Sequence, residues 1–108
     1  MVSYPRLANA RTNAEQRIAV SQDGKHIAFA STFEDVDFWG HRTFYYQFDI
    51  HRKNESEPFR SIRMYPPTNE PLTDFSEMGD FSWSSDSLGV EIGVFGIEVR
   101  MQAIDLDE

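Results

Sequence analysis

Apolar and polar residues alternate along this chain with a period of two, in short runs separated by turn residues. The clearest run is residues 43–51, where Phe44, Tyr46, Phe48 and Ile50 share one face and Tyr45, Gln47, Asp49 and His51 the other. Before it, residues 17–21 and 26–33 flank Gln22-Asp23-Gly24-Lys25. That Asp-Gly step is a hairpin signal, because glycine takes positive φ without steric cost and aspartate tolerates it. Residues 34–42 form an acidic and aromatic loop by composition, and residues 52–57 a charged turn. Residues 59–65 alternate again, with Arg60 and Arg63 marking an exposed or edge position. Pro66-Pro67 ends that strand and residues 68–80 make a long, turn-rich connection. Segments 81–84, 88–95 and 97–106 complete the pattern, with Gly96 at a tight turn or bulge. Residues 1–16 carry little periodicity, and Thr12 or Asn13 caps a short helical turn through Glu15 there.

Seven strand-like segments with almost no helical period predict one all-β domain over residues 1–108. A repeat runs inside the pattern. Residues 18–29, IAVSQDGKHIAF, resemble the SPDGK-x-IAF repeat of WD40-like β-propellers of the TolB and dipeptidyl peptidase type. Residues 81–90, FSWSSDSLGV, resemble a second, degenerate copy. Gln22 and Ser85 stand where the family has proline, and Ser87-Leu88 stand where it has glycine and lysine. The copies lie 63 residues apart, Asp86 minus Asp23, whereas a four-stranded blade repeats at about 40–45. Two blades do not close a ring. Taken as complete from Met1, the chain is expected to be an antiparallel meander or small sandwich of two blade-like units, with six or seven strands and no closed propeller. The resemblance implies a fold and no function, since propeller blades serve many roles.

Hydrophobic residues make up 40% of the chain and aromatics 14%, enough for a packed core. There is no cysteine, so disulfides and cysteine-based metal or redox sites are excluded. The first residues lack an apolar h-region and no apolar run approaches a membrane span, so a cytoplasmic protein off the membrane is expected. Charge is lopsided. Residues 64–108 hold ten acids against Arg100 alone and net −9, while residues 1–63 hold nine bases and eight acids and net +1. Such a field opposes nucleic acid and draws in a basic protein surface. Solubility alone explains an acidic surface, but it does not require the acids to gather in one part of the chain.

Candidate chemistry is sparse. His26, His41 and His51 lack the spacing of a ligand pair, and no cofactor or metal is called for. His41-Arg42 with Asp35 and Asp37 is an arrangement of acid–base type, a His41/His51 pair lacks a phosphate cradle in a half of net charge +1, and a small hydrolase around His41 is the minority alternative. Glu34-Asp35-Val36-Asp37 lacks the calcium-loop pattern and is taken as a solvated acidic loop. Phe38 and Trp39 are either an anchor that a partner buries or a cap folded back on the core. Trp83 is placed in the core. The polar face of Tyr45, Gln47, Asp49 and His51 is a solvated sheet face or a flat protein-binding platform.

The expectation is a non-enzymatic inhibitor or immunity-type protein, monomeric or weakly dimeric, for a basic partner such as a nuclease toxin. Its contact residues are Glu34, Asp35, Asp37, Asp74, Glu77 and Asp80, with Phe38 and Trp39 as anchors. The alternative is a structural module that self-associates through the edges of residues 59–65 or 97–106.

Overall fold

A computed structural model describes residues 10–103. Its strands are β1 (Ala10–Arg11), β2 (Arg17–Val20), β3 (His26–Val36), β4 (Arg42–Arg52), β5 (Arg60–Met64), β6 (Met78–Trp83), β7 (Gly89–Val94) and β8 (Ile97–Gln102). They form two antiparallel sheets. The larger runs β1-β3-β4-β5, with β2 also on β3, and the smaller runs β6-β7-β8. Among the described residues the fold is all-β, and neither a barrel nor a propeller closes.

The β3–β4 hairpin organises the larger sheet, paired from His26↔Arg52 to Val36↔Arg42. Its register sets Ala28, Ala30 and Thr32 opposite Ile50, Phe48 and Tyr46, so small side chains on one strand make room for large ones on the next. All six are fully buried. Val90, Ile92 and Val94 of β7 face them across the core, and Phe48–Phe81 and Tyr46–Phe95 rings meet at 5.9 and 5.3 Å. Burying a phenylalanine such as Phe48 contributes about 2–3 kcal/mol.

The connection between the sheets is pinned by apolar and polar contacts. Leu72 and Phe75 are buried. The Tyr46 hydroxyl donates to the Asp74 carbonyl at 3.0 Å and accepts from the Glu77 N–H at 3.3 Å. The Asn69 side chain accepts from the Phe44 N–H at 3.1 Å and donates to the Arg42 carbonyl at 2.6 Å.

The two repeat copies share one turn geometry. Asp23 accepts from the Ser21 hydroxyl and the Lys25 N–H, and Asp86 from the Ser84 hydroxyl and the Leu88 N–H. Gly24 has φ +73°, and Ser87 takes the equivalent left-handed place at +60°. The turns also touch, the Asp23 N–H donating to the Ser87 hydroxyl at 3.3 Å.

Several expectations are corrected. The described residues hold eight strands and no helix. At residues 12–15, Asn13 Oδ1 accepts from the Glu15 N–H in an Asx turn. Ala10 and Arg11 pair instead with Glu34 and Phe33, a long-range partnership that local pattern does not carry. The loop expected over 34–42 shrinks to 37–41, because β3 continues through Glu34 and Asp35 to Val36. Asp80 lies on β6, at a register shift between Met78 and Phe81, and not in the connection. Residues 1–9, and 104–108 with the acids Asp105, Asp107 and Glu108 and the expected end of the last strand, lie outside the described residues. Among the described residues, no helix is long and apolar enough to cross a membrane.

Candidate functional site

The acids singled out in the sequence divide into two groups. Those of the β3–β4 hairpin are bound into the fold. Asp35 is 2% exposed and accepts from the Tyr45 hydroxyl at 3.1 Å, with the Arg63 guanidinium 3.8 Å away. Arg63 in turn lies 4.6 Å from the centre of the Tyr45 ring. Burial pushes Tyr45 up to about 12; Arg63 opposes that shift and the Asp35 charge adds to it. Burial works against the Arg63 charge, but its hydrogen bond to Tyr65 and the nearby Tyr45, Tyr65 and Asp35 hold its pKa above the ordinary value. Asp35 is therefore a structural carboxylate, and its expected role as a contact acid is corrected. Glu34 is partly buried and paired. Its side chain is 18% exposed and meets Arg42 across the hairpin at 3.1 Å.

Asp37 organises the tip of that hairpin. Its Oδ1 accepts from the N–H groups of Trp39 and His41 at 2.9 and 2.8 Å, and Gly40 closes the turn at φ +83°. Burial is the largest single influence on Asp37 and raises its pKa, but the His41 and Trp39 N–H groups and the nearby imidazole together outweigh it and hold the carboxyl below the ordinary value. Phe38 and Trp39 project from this tip 56% and 67% exposed, edge to face at 5.2 Å. They are not folded back over the core. His41 Nδ1 sits 3.3 Å from Asp37 with its side chain 79% exposed, a solvent-facing pair. Among the described residues, no cluster of three or more His, Asp or Glu is placed to hold a metal ion.

The second group behaves differently. Glu70, Asp74 and Glu77 line a cleft of about 190 Å³ over Leu72 and Phe95. Glu77 also lines a neighbouring cleft of about 230 Å³, with Asp80 and Glu98. Among the described residues, no lysine or arginine lines either cleft. Ion pairs join Glu34, Asp35, Glu55 and Glu91 to arginines, whereas among the described residues none joins these five acids to a base. Asp74 is held ionised to lower pH by the Ser76 hydroxyl and N–H. Asn69 ties the connection to Arg42, so the neighbouring Glu70 lies at the end of the larger sheet from which the 37–41 tip projects.

Asp74, Glu77 and Asp80 are thus brought to one surface, and Glu70 and Glu98 join them. These last two were counted in the sequence among the segregated acids. Only the fold of the connection and the Gly93↔Glu98 pairing place them beside Glu77. Trp83, expected in the core, is partly buried at its margin and donates from Nε1 to the Ala19 carbonyl at 2.7 Å. Comparison of the chain with protein-family models, curated proteins and solved structures finds no match.

Proposed function

We propose that this protein is a non-enzymatic inhibitor of the immunity type, which binds a basic protein partner and neutralises it. The observation that carries this is the acidic strip of Glu70, Asp74, Glu77, Asp80 and Glu98, gathered on two adjoining clefts without a basic neighbour in their linings. Carboxylates left unpaired by the fold keep their field available to a partner, whereas the paired ones spend it internally. A nuclease toxin fits best among basic partners. Its active-site cleft is built to hold phosphates, and a row of carboxylates offers the same charge while its bulk denies nucleic acid entry. Phe38 and Trp39, large and exposed beside Asp37, supply apolar contact of the kind that concentrates binding energy in an interface. A chain without cysteine suits the reducing cytoplasm, where such a partner acts.

The test is capture by immobilised protein at low and high ionic strength, followed by a nucleic-acid cleavage assay on the captured protein. A basic nuclease is expected, released by salt and inhibited by the free chain. Replacing Glu70, Asp74, Glu77 and Asp80 by Gln or Asn is expected to abolish capture with the fold intact. Capture that ignores both salt and these substitutions would sink the proposal.

A further inference from the structure

The face of the larger sheet that turns away from β6–β8 carries an unusual set of side chains. Alternation sends Ile18 and Val20 of β2, Ile27 and Phe29 of β3, and Asp49 and His51 of β4 to that side. The register gathers them, with Val20 opposite Ile27 and Ile27 opposite His51, and with Ile18 opposite Phe29. Ile18 is 59% and Val20 57% exposed, where a short edge strand ordinarily carries polar or charged side chains. Phe29 meets the His51 ring edge-on at 5.1 Å, and an open groove of about 330 Å³ runs past Ile27, Phe29, Asp49 and His51. The smaller sheet differs: its outward residues are Gly89, Glu91 and Gly93 of β7 and Glu98, Arg100 and Gln102 of β8. The outward face of the larger sheet thus carries an apolar patch at its β2–β3 side, beside the polar residues of β4.

Charge indicates what covers the outward face. Its charged strand residues are Arg11 and Arg63 against Asp35 and Asp49, two of each sign. Two copies of a chain with net charge −8 repel one another, and they do so least where this balanced face is presented. A strongly basic partner finds no surplus of negative charge there. The footprint is also adequate. Strands β2, β3, β4 and β5 have 4, 11, 11 and 5 residues, so at ~3.3 Å per residue and ~4.8 Å between strands the face measures about 500 Å² per copy. Two copies together cover about 1,000 Å², the low end for a specific interface and the size of a weak dimer.

We propose that this face pairs with the same face of a second copy about a two-fold axis. Ile18, Val20, Ile27 and Phe29 then pack against their own counterparts, as an isologous contact requires. The smaller sheet and its acidic clefts lie on the opposite side of the core, so the dimer presents two acidic surfaces pointing away from each other.

The experiment is the light-scattering mass of the purified chain across a concentration series, with circular dichroism reporting the fold. Twice the chain mass of 12.5 kDa is expected. Ile18→Asp with Val20→Asp should return the single-chain mass, and Ile18→Thr with Val20→Thr, which preserves strand preference, should weaken the dimer about tenfold or more. Ile97→Asp, at a 54% exposed apolar position on β8, should leave the doubled mass unchanged. A single-chain mass for the unaltered protein at its highest soluble concentration overturns the proposal. So does a doubled mass that survives the Ile18 and Val20 substitutions in folded protein. Capture of a basic partner is scored separately and bears on the acidic clefts alone.

Discussion

Ser87 occupies a backbone conformation that the repeat elsewhere gives to glycine. With φ +60° it bears the strain of a Cβ in the left-handed region, and its hydroxyl accepts the Asp23 N–H. Ser87→Ala keeps the strain and loses the acceptor, whereas Ser87→Gly loses the acceptor but relieves the strain. The glycine variant is expected to be more stable than the alanine variant by about 1 kcal/mol, measured from denaturant midpoints. Tyr45 makes the opposite point. Alternation puts it on the polar face, yet it is fully buried beneath Phe33, Arg63 and Tyr65. Its folded pKa of about 12 lies above the ordinary 10.0, so folding favours the neutral phenol. That contribution is complete below pH 10 and is lost as pH rises through the window to about 12. Alkaline titration should show Tyr45 ionising only as the sheet opens, and Tyr45→Phe should remove its share of the tyrosinate absorbance in that late phase. The Asp-Gly turn was legible from the sequence because its cause is local. The burial of Tyr45 was not, because it depends on Arg63 and Tyr65 arriving from the other side of β4.

At the scale of elements, period-two alternation located β2 to β8, and the residues that break strands located most of their ends. What it missed has a common cause. Strand β1 is two residues long and exists because β3 offers it a partner, and the end of β3 extends through an acidic stretch because Arg42 and Arg63 answer the charges of Glu34 and Asp35. The matching turns carry a testable consequence. Asp23 is held below the ordinary 3.8 by the Ser21 hydroxyl and then the Lys25 N–H, and Asp86 by the Ser84 hydroxyl and then the Leu88 N–H. Carboxyls depressed on folding add stability above about pH 3.8, and that stability is lost as pH falls through their folded values. Replacing both by Asn should flatten the acid side of a stability-versus-pH curve and leave its shape near neutrality unchanged. An unaltered acid limb in the double variant would show that the turns do not contribute.

At the scale of the molecule, charge is sorted by what the fold does with it. Arginines are spread through the larger sheet and pair with Glu34 and Asp35 of its long hairpin, while among the described residues no ion pair joins Glu70, Asp74, Glu77, Asp80 or Glu98 to an arginine. In the proposed inhibitor, neutralising these acids should slow association far more than it speeds dissociation, and the difference should shrink as salt rises. Stopped-flow binding at two ionic strengths separates the two rates.

The sequence by itself determined the class of fold, the places of the Asp-Gly-type turns and the imbalance of charge between its parts, since alternation, turn chemistry and net charge follow from residues near one another or from their sum. Tertiary structure alone decided that Asp35 is a buried structural anion, that Asp74, Glu77 and Asp80 share a surface with Glu70 and Glu98, and that Ile18 and Val20 stand together on an outward face. Each of these depends on strand register and on how the connection crosses the core. Register joins residues tens of positions apart, and no local pattern encodes that distance.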